Sequence, residues 1–271
     1  DMFDGVQCPC ILLQLVATGK PLSTVGMRIE DRTRTFIIAM ERTVVPENFS
    51  FRMTDEEYRV LEKIKNSIPV CYLADHADFA LGIVTGNNKK FLSTEKTEHS
   101  EMVLKGTDIC KYHINPAKQY LRFEPEQFQQ VAPLEIYRAP EKLLYRFISN
   151  QLVVAYDDRQ MLSLNSCNIV IPKIEGMQIK YILAILNSSV SQFVYQKEFH
   201  SIKVLRAHME HIPIPRVGKA IQNEIIAMTE PLIHGMGKEA AETCQKRLDC
   251  RIMDLFRLSA EEQWIIRHAL H

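Results

Sequence analysis

Asn168-Ile-Val-Ile-Pro-Lys-Ile-Glu-Gly-Met-Gln-Ile-Lys-Tyr-Ile-Leu-Ala-Ile-Leu-Asn187 carries two different periods within one stretch. Asn168 to Ile171 is a short run of β-branched residues and reads as a buried strand. Met177 to Asn187 places Ile179, Ile182, Leu183 and Leu186 at i, i+3, i+4 and i+7, the stripe of a buried helix face. Leu152 to Tyr156 adds a strand upstream. Val103-Leu104 is another, followed by a turn at Lys105-Gly106. Leu81 to Phe91 reads as a short strand running into a Gly-Asn-Asn turn. Downstream the pattern is helical: a second helix over Val190 to Glu198, then Ala220 to Ile233, Glu239 to Phe256 and a short helix opened by Ser259-Ala-Glu-Glu262, a capping-box pattern. His211-Ile-Pro-Ile-Pro215 cannot be helix interior, because its prolines exclude it. Strands and helices mixed along the chain and closing on a run of helices predict an α+β fold.

Toward the N-terminus, Phe3 to Ala17 reads as a strand buried on both faces. Thr33 to Thr43 is a second strand, centred on Phe36-Ile37-Ile38. Thr54-Asp-Glu-Glu57 is an N-cap followed by acids at the positive end of the dipole. It opens a helix with Tyr58, Leu61 and Ile64 on one face, ended by Asn66 and Pro69. Pro140 to Ile148 is expected to be helical, with Pro140 near the first turn. The expected organisation is 1–66, 67–215 and 216–271, with the Thr54 helix as the first border.

The chain has 271 residues, 46% hydrophobic and 24% charged, an ordinary globular composition that excludes global disorder. Lys+Arg and Asp+Glu both number 33, so overall charge points to no partner. Within Gly82–Pro215, 16 basic residues stand against 13 acidic ones, which makes the middle segment mildly basic. The seven cysteines are odd in number and scattered, as expected of reduced thiols in a cytoplasmic protein. Cys8 and Cys10 fit one face of a strand better than a zinc site. No apolar run is long enough for a transmembrane helix, and the start lacks a basic n-region, so no membrane partner is expected. A chain that starts at Asp1 reads as a piece of something longer.

Catalytic motifs are scarce. There is no phosphate-binding glycine loop and no Gly-x-Ser-x-Gly elbow. His208 and His211, three apart, read as surface histidines, and Asp157-Asp158 as a polar turn between strands. The turn Thr85-Gly86-Asn87-Asn88-Lys89-Lys90 gathers amide and basic side chains. Asn pairs bidentately with adenine, and Lys contacts guanine or phosphate. The same residues also suit a simple hairpin turn. Lys142 and Arg146 sit four apart on the expected helix, and Lys203 and Arg206 three apart. Each pair reads either as phosphate contacts or as a solvated face.

The order of short blocks carries a resemblance. Gly82-Ile-Val-Thr-Gly-Asn-Asn-Lys-Lys-Phe91 is followed by Leu104-Lys-Gly-Thr-Asp-Ile109. Then come Pro140-Glu-Lys-Leu-Leu-Tyr-Arg-Phe-Ile-Ser149, Leu152-Val-Val-Ala-Tyr-Asp157 and Leu183-Ala-Ile-Leu-Asn-Ser188. Last is Lys203-Val-Leu-Arg206, leading into Ile212-Pro-Ile-Pro215. In this order the middle segment resembles the TaqI-like C-terminal specificity domain, the target-recognition region of adenine-N6 DNA methyltransferases in restriction-modification systems. Phe3 to Ala17 resembles the last strands of the methyltransferase domain that precedes it, and the C-terminal helices resemble the family's helical tail.

The resemblance implies a double-stranded DNA partner, contacted by Asn87, Asn88, Lys89, Lys90, Lys142, Arg146, Lys203 and Arg206. The family's Asn-Pro-Pro-Tyr type motif is absent, Asn115-Pro116 being followed by alanine, and so is its glycine-rich cofactor loop. The chain is therefore expected to be non-catalytic by itself. S-adenosylmethionine is expected on a methyltransferase domain outside this chain, in a type II methyltransferase or a fused restriction enzyme. The alternative is a protein-interaction module that docks a partner subunit through its helical tail.

Overall fold

The computed structural model describes Gln14 and residues 23–30, 34–42, 52–199 and 201–270. Cys8, Cys10 and the strand expected over Phe3 to Ala17 lie outside the described residues. The chain divides into two compact units, 1–51 and 52–271. In the first, β1 (Arg28–Glu30) and β2 (Thr35–Ile37) pair antiparallel, so the strand expected around Phe36 is present in shortened form.

The second unit runs α1 (Asp55–Asn66), β3 (Val70–Cys71), β4 (Ala77–Ala80), α2 (Asn88–Phe91), β5 (Leu92–Ser93), β6 (Glu101–Leu104), β7 (Tyr120–Leu121), α3 (Leu134–Tyr137) and β8 (Lys142–Arg146). It continues through β9 (Val154–Asp157), β10 (Leu162–Ser163), β11 (Cys167–Pro172), α4 (Ile179–Asn187), α5 (Ser189–Glu198), α6 (Arg206–Glu210), β12 (Ile214–Pro215), α7 (Lys219–Ile233), α8 (Lys238–Leu255) and α9 (Ala260–Ala269). This is an α+β fold. Its main sheet is antiparallel in the order β4-β11-β8-β9, and a smaller sheet follows the order β10-β6-β7-β5.

The main sheet is covered on both faces. Leu143, Tyr145, Val154, Tyr156 and Val170 join a core with α1, α4, α5 and the tail helices α7 to α9. Leu144, Ala155, Cys167 and Ile169, the alternate positions, join a second core with Val103, Leu104, Leu121 and Leu162 of the smaller sheet. The period-two alternation of strand side chains makes this sharing possible.

It also explains why residues 140–148, expected to be helical, form β8 instead. A run buried on both faces has no one-sided stripe, and its period does not separate strand from helix. The Lys142–Arg146 spacing is therefore a same-face spacing on a strand.

The other expected helices are present. Thr54 Oγ1 accepts the Glu57 N–H at 3.2 Å, and the Glu57 carboxylate accepts the Thr54 N–H at 2.9 Å. Ser259 and Glu262 repeat the arrangement at the start of α9. Asn187 does more than end α4. Its amide accepts the Val154 N–H at 3.0 Å and donates to the Val154 carbonyl at 2.8 Å, closing the open edge of β9. Gly82 lets the smaller sheet dock: a Cβ there would stand 2.1 Å from the Leu164 carbonyl oxygen.

Candidate nucleic-acid interface

The Gly86 turn is built by local chemistry. Gly86 has φ +77°, a conformation that glycine adopts without strain. The Thr85 hydroxyl donates to Asn88 Oδ1 at 2.6 Å, and Asn87 Oδ1 caps α2 by accepting the Lys90 N–H at 3.2 Å. Both amide oxygens are thus engaged inside the turn, while the amide N–H groups are not used by those bonds. Asn87, Asn88, Lys89 and Lys90 are all exposed. The Lys90 ammonium lies 4.6 Å from the Phe91 ring centroid, and Phe91 packs edge-on against Phe128 at 5.4 Å. The turn is anchored through Val84, whose N–H and carbonyl both pair with Gln130. Gln129 and Gln130 therefore stand exposed beside the turn. Sequence reasoning passed over them. Their signal was the amide-aromatic run Gln127-Phe128-Gln129-Gln130, distant in sequence from Gly86.

The other expected residues separate into two groups. Lys142 is fully buried, with its ammonium 2.5 Å from Asp157 Oδ2 and 2.6 Å from the Tyr137 carbonyl. It is a core ion pair and cannot reach a phosphate in this fold. Burial lowers its pKa, and the Asp157 carboxylate opposes that shift. Asp157 also accepts the N–H groups of Arg159 and Met161, both at 2.9 Å, so it is a buried strand end rather than a turn residue. Arg146 donates to the carbonyls of Gly106 at 2.9 Å and Ile109 at 2.5 Å, tying the 106–109 turn to the sheet.

Lys203 and Arg206 are exposed. The Phe147 carbonyl accepts the Val204 N–H at 2.7 Å, and the Ile202 carbonyl accepts the Ser149 N–H at 2.9 Å. These bonds bring 202–206 against the end of β8. Arg206 is partly committed, bonded to Glu210 at 2.7 Å and 5.2 Å from the Phe79 ring centroid.

A polar turn links the two exposed regions. The Asn165 N–H donates to the Ile83 carbonyl at 3.0 Å, and the Ser166 carbonyl accepts the Phe147 N–H at 3.0 Å. Gly86 and Phe147 thus follow on either side of Asn165-Ser166. Asn165-Ser166 thus joins the strand that leads into the Gly86 turn to the start of the 147–149 segment.

His208 departs from its reading as a surface residue. It is buried and stacked on Phe199 at 4.5 Å, and its Nδ1 accepts the Leu205 N–H at 3.2 Å. Burial lowers its pKa from 6.5. His211 is exposed and bonds the Ala207 carbonyl at 2.6 Å. Among the described residues no group of three or more His, Cys, Asp or Glu side chains is placed to hold a metal ion, and no helix is long and apolar enough to cross a membrane.

Amide and basic side chains on loops at the end of a two-sided sheet are the equipment of a sequence-reading module. Residues 101–214 match the family model of the TaqI-like C-terminal specificity domain. The match bears out the resemblance and leaves the Gly86 turn outside its bounds.

Similar solved structures include an assembly described as a type I R-M system undergoing complex assembly and conformational transition (13% identity, 80% of this chain and 52% of that one, TM-score 0.41). Another is the type IIL restriction-modification enzyme MmeI in complex with DNA (11%, 74% and 35%, TM-score 0.49). A third is the HsdS subunit from Thermoanaerobacter tengcongensis (13%, 80% and 50%, TM-score 0.39). The chain spans 52% of the first, 35% of the second and 50% of the third. No curated protein matches it.

Proposed function

We propose that this chain is the target-recognition part of a restriction-modification system and reads double-stranded DNA for an adenine-N6 methyltransferase. Residues 67–215 act as the reader and 216–271 as its helical tail. The observation that carries the reading is the exposed Gly86 turn, with its four amide and basic side chains, on a chain whose residues 101–214 match a specificity domain. Lys89, Lys90, Lys203 and Arg206 contact phosphates, and Asn87 and Asn88 address base edges. Lys142 and Arg146 serve the scaffold. The amide N–H groups of the two asparagines suit acceptors such as purine N7 in the major groove. Methyl transfer belongs to a separate domain. The Asn-Pro-Pro motif and the glycine-rich cofactor loop are absent from this sequence, and we assign none of its residues to S-adenosylmethionine.

The test is selection by the purified chain from a duplex library with a randomised centre, followed by titrations over a range of salt. We expect one enriched sequence and a steep loss of affinity with salt. Lys89→Ala should lower the salt slope by about one unit without changing sequence preference. Asn87→Ser retains a capping oxygen and removes the amide, so it should cost about 1–3 kcal/mol of discrimination at one base pair. Failure to enrich any sequence would overturn the reading.

A further inference from the structure

Beyond the Gly86 turn, the molecule carries a second feature that the function described so far does not use. Ile148 is 62% exposed, Ile202 70% and Leu205 42%. Ile148 and Ile202 sit on a miniature antiparallel ribbon in which Ile148 pairs with Lys203, and Leu205 follows it at the start of α6. Directly opposed residues of an antiparallel pair share a face, so Ile148 and Lys203 project to one side and Ser149 and Ile202 to the other. Asn150 and Gln151 stand exposed at its outer turn.

The ribbon is held in place. Besides the two cross-strand bonds, Tyr195 Oη donates to the Ser201 carbonyl at 2.9 Å, and Ser201 Oγ both accepts the Lys203 N–H and donates to the Lys203 carbonyl. Val204 is buried at its base. Exposed large aliphatic side chains on and next to a pre-ordered ribbon indicate a contact surface rather than misplaced core.

Charge selects the occupant. Residues 147–154 and 199–209 contain no Asp or Glu, and Lys203 and Arg206 are exposed cations there. The nearby acids are Glu210, bonded to Arg206, and Asp75, which also faces Arg206. An acid-free apolar tip with Lys203 on its flank suits a polyanion that also offers apolar groups. Major-groove DNA meets both demands, since the groove admits a two-stranded ribbon and each thymine projects its C5-methyl there.

We infer that the 147–149/202–204 ribbon enters the major groove with its Ile148/Lys203 side toward the DNA, Ile148 packing on a thymine methyl group and Lys203 reaching an adjacent phosphate, while Ile202 faces away. The inference rests on the DNA-reading function above and adds to it a second reading element and a base preference.

The experiment uses the enriched duplex from the randomised library and replaces its thymines one at a time by deoxyuridine, which removes only the methyl group. With the purified chain, at least one replacement should weaken binding about fourfold, the factor for losing one buried methyl-sized group. In Ile148→Ser that penalty should vanish and affinity for the thymine duplex should fall, whereas Ile202→Ser, on the opposite side, should leave both unchanged. The salt slope and melting temperature should stay constant, because both side chains are exposed. Lys203→Ala should lower the salt slope by about one unit and leave the deoxyuridine penalty intact. An enriched site without thymine overturns the inference while leaving DNA reading intact. So does an Ile148→Ser variant that binds and discriminates like the original, which would make the patch a protein contact. Absence of any enriched sequence overturns the functional reading itself.

Discussion

Lys142 shows how a single residue can look functional in sequence and be structural in space. Its block, Pro140-Glu-Lys-Leu-Leu-Tyr-Arg146, resembles the family, and a lysine four residues from an arginine suggests a phosphate-binding face. On a strand buried from both sides, the same spacing turns Lys142 inward, where Asp157 stands opposite in register. Asp157 keeps its Arg159 and Met161 N–H partners if the lysine is lost, but its charge remains buried without a cation. Lys142→Met should therefore destabilise by about 3–5 kcal/mol, the cost of removing one partner of a buried pair. Urea denaturation would read it. At temperatures where the variant stays folded, the salt slope of DNA binding should match the original, whereas a phosphate-contacting lysine would lower it. The Gly86 turn, by contrast, was legible from sequence, because Gly and Asn have local reasons to be there that do not depend on a distant partner. Gln129, Gln130 and Asn165 were not legible, since only long-range pairing brings them to the turn.

At the scale of elements, the amphipathic helices α1, α7 and α8 were readable from their stripes, and β8 was not. The difference is physical: a one-sided element advertises its period, and an element buried on two sides does not. The short α6 follows another logic. Its first turn is held by His208, whose Nδ1 accepts the Leu205 N–H only while the ring is neutral. Burial lowers the His208 pKa below its ordinary 6.5, so the folded form resists protonation that the unfolded chain accepts. The stabilising contribution is fully present above the ordinary value. It is lost as pH falls from there through the depressed folded value, because over that window the unfolded state binds more protons. Melting temperatures should fall on acidification across that window, and His208→Gln should flatten the part of the dependence due to this ring. Since α6 directly follows the Ile202–Val204 strand, DNA affinity should weaken over the same interval in the original and less in the variant.

On the scale of the whole molecule, overall charge says nothing of function, and placement says a great deal. Basic and acidic residues balance, yet Lys89, Lys90 and Lys203 are exposed on segments that the Asn165-Ser166 turn joins. Tail and main sheet share a core, and Val204 at the base of the ribbon belongs to it. Leu248, Ile252, Met253 and Phe256 are buried together with Tyr145, Val154 and α4. A tail that merely followed the reader would unfold by itself; a tail sharing its core unfolds with it. Leu248→Ala should cost about 2–5 kcal/mol, as expected for truncating a buried leucine. Two local reporters can test whether that loss is shared. The chain has one tryptophan, Trp264 in α9, and Cys167 is fully buried in β11, its thiol pKa raised chiefly by burial and so protected from alkylation while folded. Trp264 fluorescence and alkylation of Cys167, located by peptide mass, should report coincident thermal transitions in the original chain. Both should move down together in Leu248→Ala. A variant in which the Trp264 transition drops while Cys167 stays protected at the original temperature would show that the tail is an appendage and that sheet and interface hold their shape without it.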